Sequence, residues 1–199
     1  MNLENNNLEL ISFFNKNKIE NDIFELRPEI LNCPRTPIPL HGQVPREILG
    51  RKWWDETRKK SYLEAGFMCQ ACGIPKDSEF ILWKNQLHAH EVYDIDYKEC
   101  RIELKEVVAL CESCHYFIHD GRTSSLFDHG IYTEEECFLI FNRGLQVLGH
   151  EKDRNELDNE EYYIKTWGKW HLFLNGKKYY SKYKNIDEWA KFYNIKKEE

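Results

Sequence analysis

The chain has 199 residues, 41% of them hydrophobic and 31% charged, with a formal net charge of −6. That is enough for one sizeable core with an extension or two, and no stretch of about 18 uninterrupted apolar residues argues for a membrane span. The start, Met1-Asn-Leu-Glu-Asn-Asn-Asn, lacks the basic and apolar regions of a signal peptide, so a cytoplasmic protein is expected.

Leu3, Leu8, Ile11 and Phe14 suggest a short amphipathic helix over residues 3–16. Five of the six prolines, Pro28, Pro34, Pro37, Pro39 and Pro45, then fall within residues 28–50. Proline fixes φ and removes a backbone donor, so this region reads as an extended arm without regular helix. Its recurrent Ile30, Leu31, Ile38, Leu40, Val44 and Ile48 favour an arm lying on a core, and a loose linker is the alternative. Trp53 to Ala65 reads as a helix that Gly66 stops. Ile81 to Tyr93 suggests two short strands with a turn near Lys84-Asn85-Gln86, Leu104 to Leu110 forms an apolar run, and Glu112 opens a helix. Thr133-Glu-Glu-Glu136 is an N-terminal cap with acidic first-turn residues, for a helix running to about Gly149. Asn175-Gly176 between His171–Leu174 and Lys177–Tyr180 signals a hairpin, and Asp187 reads as the cap of a last helix.

The acidic total conceals segregation. From Tyr162 onward there are nine Lys against four acidic residues. Phosphate binding needs a local positive face, not a basic total. Trp167, Trp170, Tyr179, Tyr180 and Tyr183 interleave with these lysines, as stacking platforms for bases or as the core of a small sheet whose lysines are solvated. Arg58, Lys59, Lys169, Lys177 and Lys178 are the candidate nucleic-acid contacts.

Seven cysteines include two Cys-x-x-Cys pairs, Cys69/Cys72 and Cys111/Cys114. Each such turn aims two thiolates at one tetrahedral ion, and two turns complete its coordination, so a structural zinc site is expected over a redox dithiol. Cys33, Cys100 and Cys137 read as small hydrophobes. Between and after the pairs lie Leu87-His88-Ala-His90-Glu91-Val92 and Cys114-His115-Tyr-Phe-Ile-His119. Along a strand, His88 and His90 share a face and Glu91 takes the other. On a helix, His115 and His119 are one turn apart and share a face suited to chelation.

Cys-x-x-Cys-Gly, Leu-His-Ala-His-Glu-Val and Leu-Cys-x-x-Cys-His-x-x-x-His together resemble the HNH endonuclease family, the ββα-metal nucleases, over residues 67–120. The resemblance implies an α+β fold: a zinc-stapled ββα-metal core within residues 51–150, with flanking helices. Residues 1–50 would form a helix and Pro-rich arm, and 162–199 a basic, aromatic hairpin plus helix. It also implies phosphodiester hydrolysis in DNA, or RNA, by nicking or double-strand cleavage. His90, His115 and His119 would hold a catalytic divalent ion such as Mg2+, Mn2+ or Zn2+. Glu91 stands where the family places its basic His, so Glu91 and His90 are the candidates for activating water; if His90 is the base, His88 or Glu91 would help to hold the metal. The family's middle Asn has no counterpart here. A zinc-stabilised module that binds nucleic acid without cutting it, and a protein-interaction scaffold, are the alternatives.

Overall fold

The computed structural model describes residues 25–76, 86–153 and 155–195. The expected helix at 3–16 and the strand expected from Ile81 lie outside them. Among the described residues the chain is mixed α and β, with a four-stranded sheet and six α-helices. No helix there is long and apolar enough to cross a membrane.

The arm is not featureless. Short 3-10 turns form at Pro28–Asn32 and Ile38–Leu40, and helix α1 already begins at Pro45 and runs to Glu64. Proline suits the first turn of a helix because its missing N–H would have no partner there. The expected start at Trp53 was therefore late. Gly50 interrupts α1 with φ 84° and ψ 171°, a break that explains why helical periodicity becomes legible only beyond it.

Strand β1, Leu87–Asp96, covers the second of the two expected strands and runs three residues beyond Tyr93. Its sheet neighbour is β2, Arg101–Cys111, and the four-residue connection between them forces an antiparallel hairpin. Asp96 Oδ1 makes the turn by accepting the amides of Lys98 and Glu99 at 2.9 and 3.0 Å. Asp is a frequent turn former but follows no apolar break here, so the register was hidden. Helix α2, Glu112–Ile118, follows β2 without a loop, and α3, Asp120–Asp128, follows α2. Helix α4, Glu134–Leu148, has the expected cap: Thr133 Oγ1 accepts Glu136 N–H, and Glu136 Oε2 accepts Thr133 N–H. After α5, Glu160–Thr166, come β3, His171–Leu174, and β4, Lys177–Tyr180, turned by Asn175-Gly176 as expected. Helix α6 spans Ile186–Phe192, and its cap is Asn185, not Asp187. The Asn185 side chain accepts the Glu188 amide at 3.0 Å, leaving Asp187 in the first turn.

The described residues fall into two compact units. One draws on described residues 25–32, 60–76, 86–90 and 108–152, and contains both Cys pairs and helices α2, α3 and α4. In it α2 packs on α4, with the Phe117 and Phe141 rings 5.8 Å apart, and the buried Ile30 and Leu31 cover both helices. The other unit draws on described residues 33–59, 91–107, 153 and 155–195. There β2 pairs in parallel with β3, in register Ile102 with Leu172, and β3 pairs antiparallel with β4. Its core is Leu40, Ile102, Tyr163, Trp170 and Leu172, all fully buried. Trp170 donates to Thr166 Oγ1 and Trp167 to the Tyr183 carbonyl, so the indole N–H groups are satisfied. Trp167, Trp170 and Tyr183 are thus core residues and offer no stacking face; Tyr180, 51% exposed, still does.

Candidate metal centres

The first Cys pair sits in a tight loop. Cys69 N–H bonds Ile74 O and Gly73 N–H bonds Cys69 O, both at 2.8 Å. Gly73 has φ +72°, and a Cβ there would stand 2.9 Å from Leu26 Cδ2, so only glycine fits. The residue between the cysteines does further work. Gln70 N–H bonds Ala109 O at 2.9 Å, and Ala109 N–H bonds Gln70 Oε1 at 2.8 Å. This clasp on β2 fixes the first pair two residues from Cys111. The second pair spans the strand–helix junction: Cys111 ends β2 in extended geometry, and Cys114 lies in the first turn of α2.

All four sulfurs are buried, none is in a disulfide, and they lie within 4.8 Å of one another. Sulfurs bound to one zinc ion at ~2.3 Å stand ~3.8 Å apart in a tetrahedron. Cys72 Sγ and Cys111 Sγ are 3.8 Å apart. The donors therefore fit a metal ion such as zinc, as the spacing predicted. Hydrogen bonds from Cys111, Cys114 and Cys69 hold the Cys72 thiol well below its ordinary pKa, while burial pushes Cys69 up. Arg143 of α4 donates from Nη2 to Cys72 Sγ at 3.5 Å. Burial alone would lower the guanidinium pKa, but the charges of Cys72, Cys111 and Cys114 raise it above its usual value.

A second group forms where β1 faces α2. His90, His115 and His119 each offer a ring nitrogen within 4.8 Å of the others. His90 Nδ1 and His119 Nε2 are 3.1 Å apart. Two imidazole nitrogens at ~2.1 Å from one ion lie ~3.0–3.4 Å apart, so the separation suits shared coordination; between neutral rings it is also a hydrogen bond. Nδ1 of His115 is buried with no hydrogen-bond partner among the described groups, as expected of a nitrogen set aside for a ligand. Helical spacing brings the His115 and His119 ring centroids to 4.6 Å. Burial, then the neighbouring cations, depresses His90 to about 3 and His115 to about 2, so both rings are neutral donors at physiological pH.

Strand alternation decides the rest. His88 shares the face of His90, and its ring centroid is 4.9 Å from that of His115. Glu91 alternates to the opposite face and is not part of the histidine group. Its surroundings belong to the second unit, with the Arg46 charge and the Tyr93 side chain nearby, and its Oε1 is buried without a hydrogen-bond partner. Burial raises the Glu91 pKa and Arg46 partly offsets it.

Two cations near the histidines escaped sequence reasoning. Lys152 donates to the Phe117 and Ile118 carbonyls at 3.1 and 3.3 Å, closing the C-terminus of α2, and its charge reaches His90. Arg122 of α3 lies over the Tyr116 ring at 5.8 Å, and its charge reaches His88 and His115. Neither belongs to a motif; Lys152 lies more than thirty residues from the carbonyls it caps. Of the expected nucleic-acid contacts, Lys59, Lys169, Lys177 and Lys178 are exposed, whereas Arg58 is half-buried and paired with Asp55 at 2.8 Å.

No protein-family model matches the chain, and comparisons with curated proteins and with solved structures return no match.

Proposed function

We propose that this protein is a metal-dependent endonuclease of the HNH kind, cleaving phosphodiester bonds in DNA. The observation that carries the reading is the convergence of His90 on a strand with His115 on the helix that closes the β1–β2–α2 run and His119 at that helix's C-terminal cap. Three imidazoles suit a divalent ion with coordination positions left for substrate. Such an ion, when bound, supplies Lewis-acid stabilisation of charge on the phosphate and on the leaving oxygen.

The remaining chemistry falls to side chains. His88 stands beside the histidine group on the same face of β1 and is half-buried. It is the group placed to accept a proton, at a ring nitrogen, from the water whose oxygen attacks phosphorus. The bond from phosphorus to the 3′ oxygen breaks, and the leaving oxygen takes a proton from solvent. His88 replaces Glu91 in this role, because Glu91 faces away. Arg122 and Lys152 place positive charge around the site, which favours a phosphodiester. One metal group and one base cut one strand at a time. The four-cysteine centre holds the start of the helix that carries His115 and is capped by His119.

The test is plasmid nicking by the full chain in Mg2+, Mn2+, Ni2+ or Zn2+. His90→Ala and His115→Ala abolish cutting and metal binding at this site. His88→Ala loses about 10²–10⁴-fold in rate with metal binding intact. DNA binding without cutting in every metal would replace this reading with a non-cutting module, and full activity in His88→Ala would remove His88 from the mechanism.

A further inference from the structure

Arg143 is half-buried, and its guanidinium lies in an unusual place, with Nε enclosed. Its Nη2 donates to Cys72 Sγ at 3.5 Å, and its Nε is buried with no hydrogen-bond partner. Among the described residues no carboxylate forms an ion pair with it. A guanidinium cannot shed its proton in a protein, and a buried cation without a counter-charge is strongly destabilising. Two disulfides carry no charge, and without a metal the Cys72 thiol, held well below its ordinary pKa, supplies at most one charge. Four thiolates around a divalent ion carry a net negative charge, and that state compensates Arg143.

The approach is close for a structural reason. Gly144, the next residue, presents no side chain to α2, and a Cβ there would lie 2.1 Å from the Phe117 ring. Helix α4 thus comes near enough to α2 for Arg143 to reach the sulfur of the first Cys pair. A chain that needed only an apolar lid over the cysteines would place Leu or Met here.

We propose that Arg143 is the resident counter-cation of the four-cysteine centre, compensating its charge and holding the Cys72 sulfur, so that the fold is built around the metal-loaded tetrathiolate. Metal retention is then coupled to α4, and the coupling is reciprocal: the ion stabilises Arg143, and Arg143 stabilises the ion. The inference rests on the reading of the four cysteines as a zinc site, not on nuclease activity.

The experiment compares the full chain with Arg143→Met, which keeps length and apolar bulk. Zinc affinity is measured by competition with a chromogenic chelator, and melting is followed with zinc bound and after chelation. Arg143→Met is expected to bind zinc about ten- to a hundredfold more weakly. With zinc it melts well below the wild type; after chelation the difference shrinks or reverses, because the metal-free cysteines carry less charge to compensate Arg143. A merely packing role would lower both melting temperatures alike, and that result overturns the proposal, as does zinc affinity within twofold of wild type. If Arg143→Met fails to fold even in excess zinc, Arg143→Lys and Arg143→Gln decide. Affinity falling in the order Arg, Lys, Gln supports a charge role, and equal affinity for Lys and Gln refutes it. A wild-type chain that binds no zinc overturns the metal site itself; zinc bound alike by all variants overturns the role of Arg143 alone.

Discussion

Gly144→Ala tests the packing that carries the cysteine and histidine clusters. Gly144 lies in the middle of α4, where alanine would ordinarily stabilise a helix by ~1 kcal/mol. The structure predicts the opposite sign. An alanine Cβ would lie 2.1 Å from both Phe117 Cγ and Cδ2, where ordinary contact needs at least about 3.4 Å. The obstacle is a ring that is itself 2% exposed, on α2 two residues after His115, so it has little room to swing away. Overpacking of this kind costs ~1–3 kcal/mol. The net loss after the propensity gain is up to ~2 kcal/mol, which for a chain of this size lowers the melting temperature by up to ~8 °C. Thermal unfolding of the zinc-loaded chain, followed by circular dichroism, reads the shift directly. If the chain cuts DNA as proposed, nicking should fall with it, since displacement of Phe117 moves the helix that carries His115 and is capped by His119. A melting temperature equal to or above the wild type would show that α4 does not approach α2 as closely as described, and the argument for Arg143 would lose its geometry.

Three other outcomes are expected. Gly73→Ala puts a side chain at φ +72° and against Leu26, so it should destabilise the zinc-loaded chain by ~1–3 kcal/mol in urea titrations and weaken zinc binding; an unchanged midpoint would show that the loop relaxes freely. His90 and His115 are held far below their unfolded pKa of about 6.5, so the unfolded chain takes up protons that the folded chain does not. Their contribution is complete above pH 6.5 and is lost as pH falls from 6.5 toward the folded values; unfolding free energies measured without added catalytic metal should drop across that range, less steeply in His90→Gln. If Lys177 and Lys178 contact DNA phosphates, the double change to Gln should flatten the dependence of log binding constant on log salt by about 2; an unchanged slope would place these lysines off the interface.

Much of both centres was legible because their geometry is local. A Cys-x-x-Cys turn and a His pair one helical turn apart specify their own shape from a few consecutive residues. Strand alternation correctly paired His88 with His90 and sent Glu91 to the other face, against the motif position that favoured Glu91 as the base. Asn175-Gly176 and Thr133 with Glu136 announced a hairpin and a helix start by the same kind of short-range chemistry. The arm over residues 28–50 was legible only in part, because Pro45 reads equally as a helix breaker and as a favoured first-turn residue.

The tertiary structure decided what depends on which distant segments meet. Gln70 clasping Ala109, Lys152 closing α2, and Arg143 reaching Cys72 each join residues thirty or more positions apart. No periodicity encodes such pairs, since each arises only when helices and strands settle against a common core. The same holds for Trp167, Trp170 and Tyr183, whose composition suits a base-stacking surface as well as a core until β3 is seen packed against β2. The spacing of cysteines and histidines was enough to say that two metal centres could form. The long-range packing decided which charges surround them and left His88, not Glu91, facing the histidines.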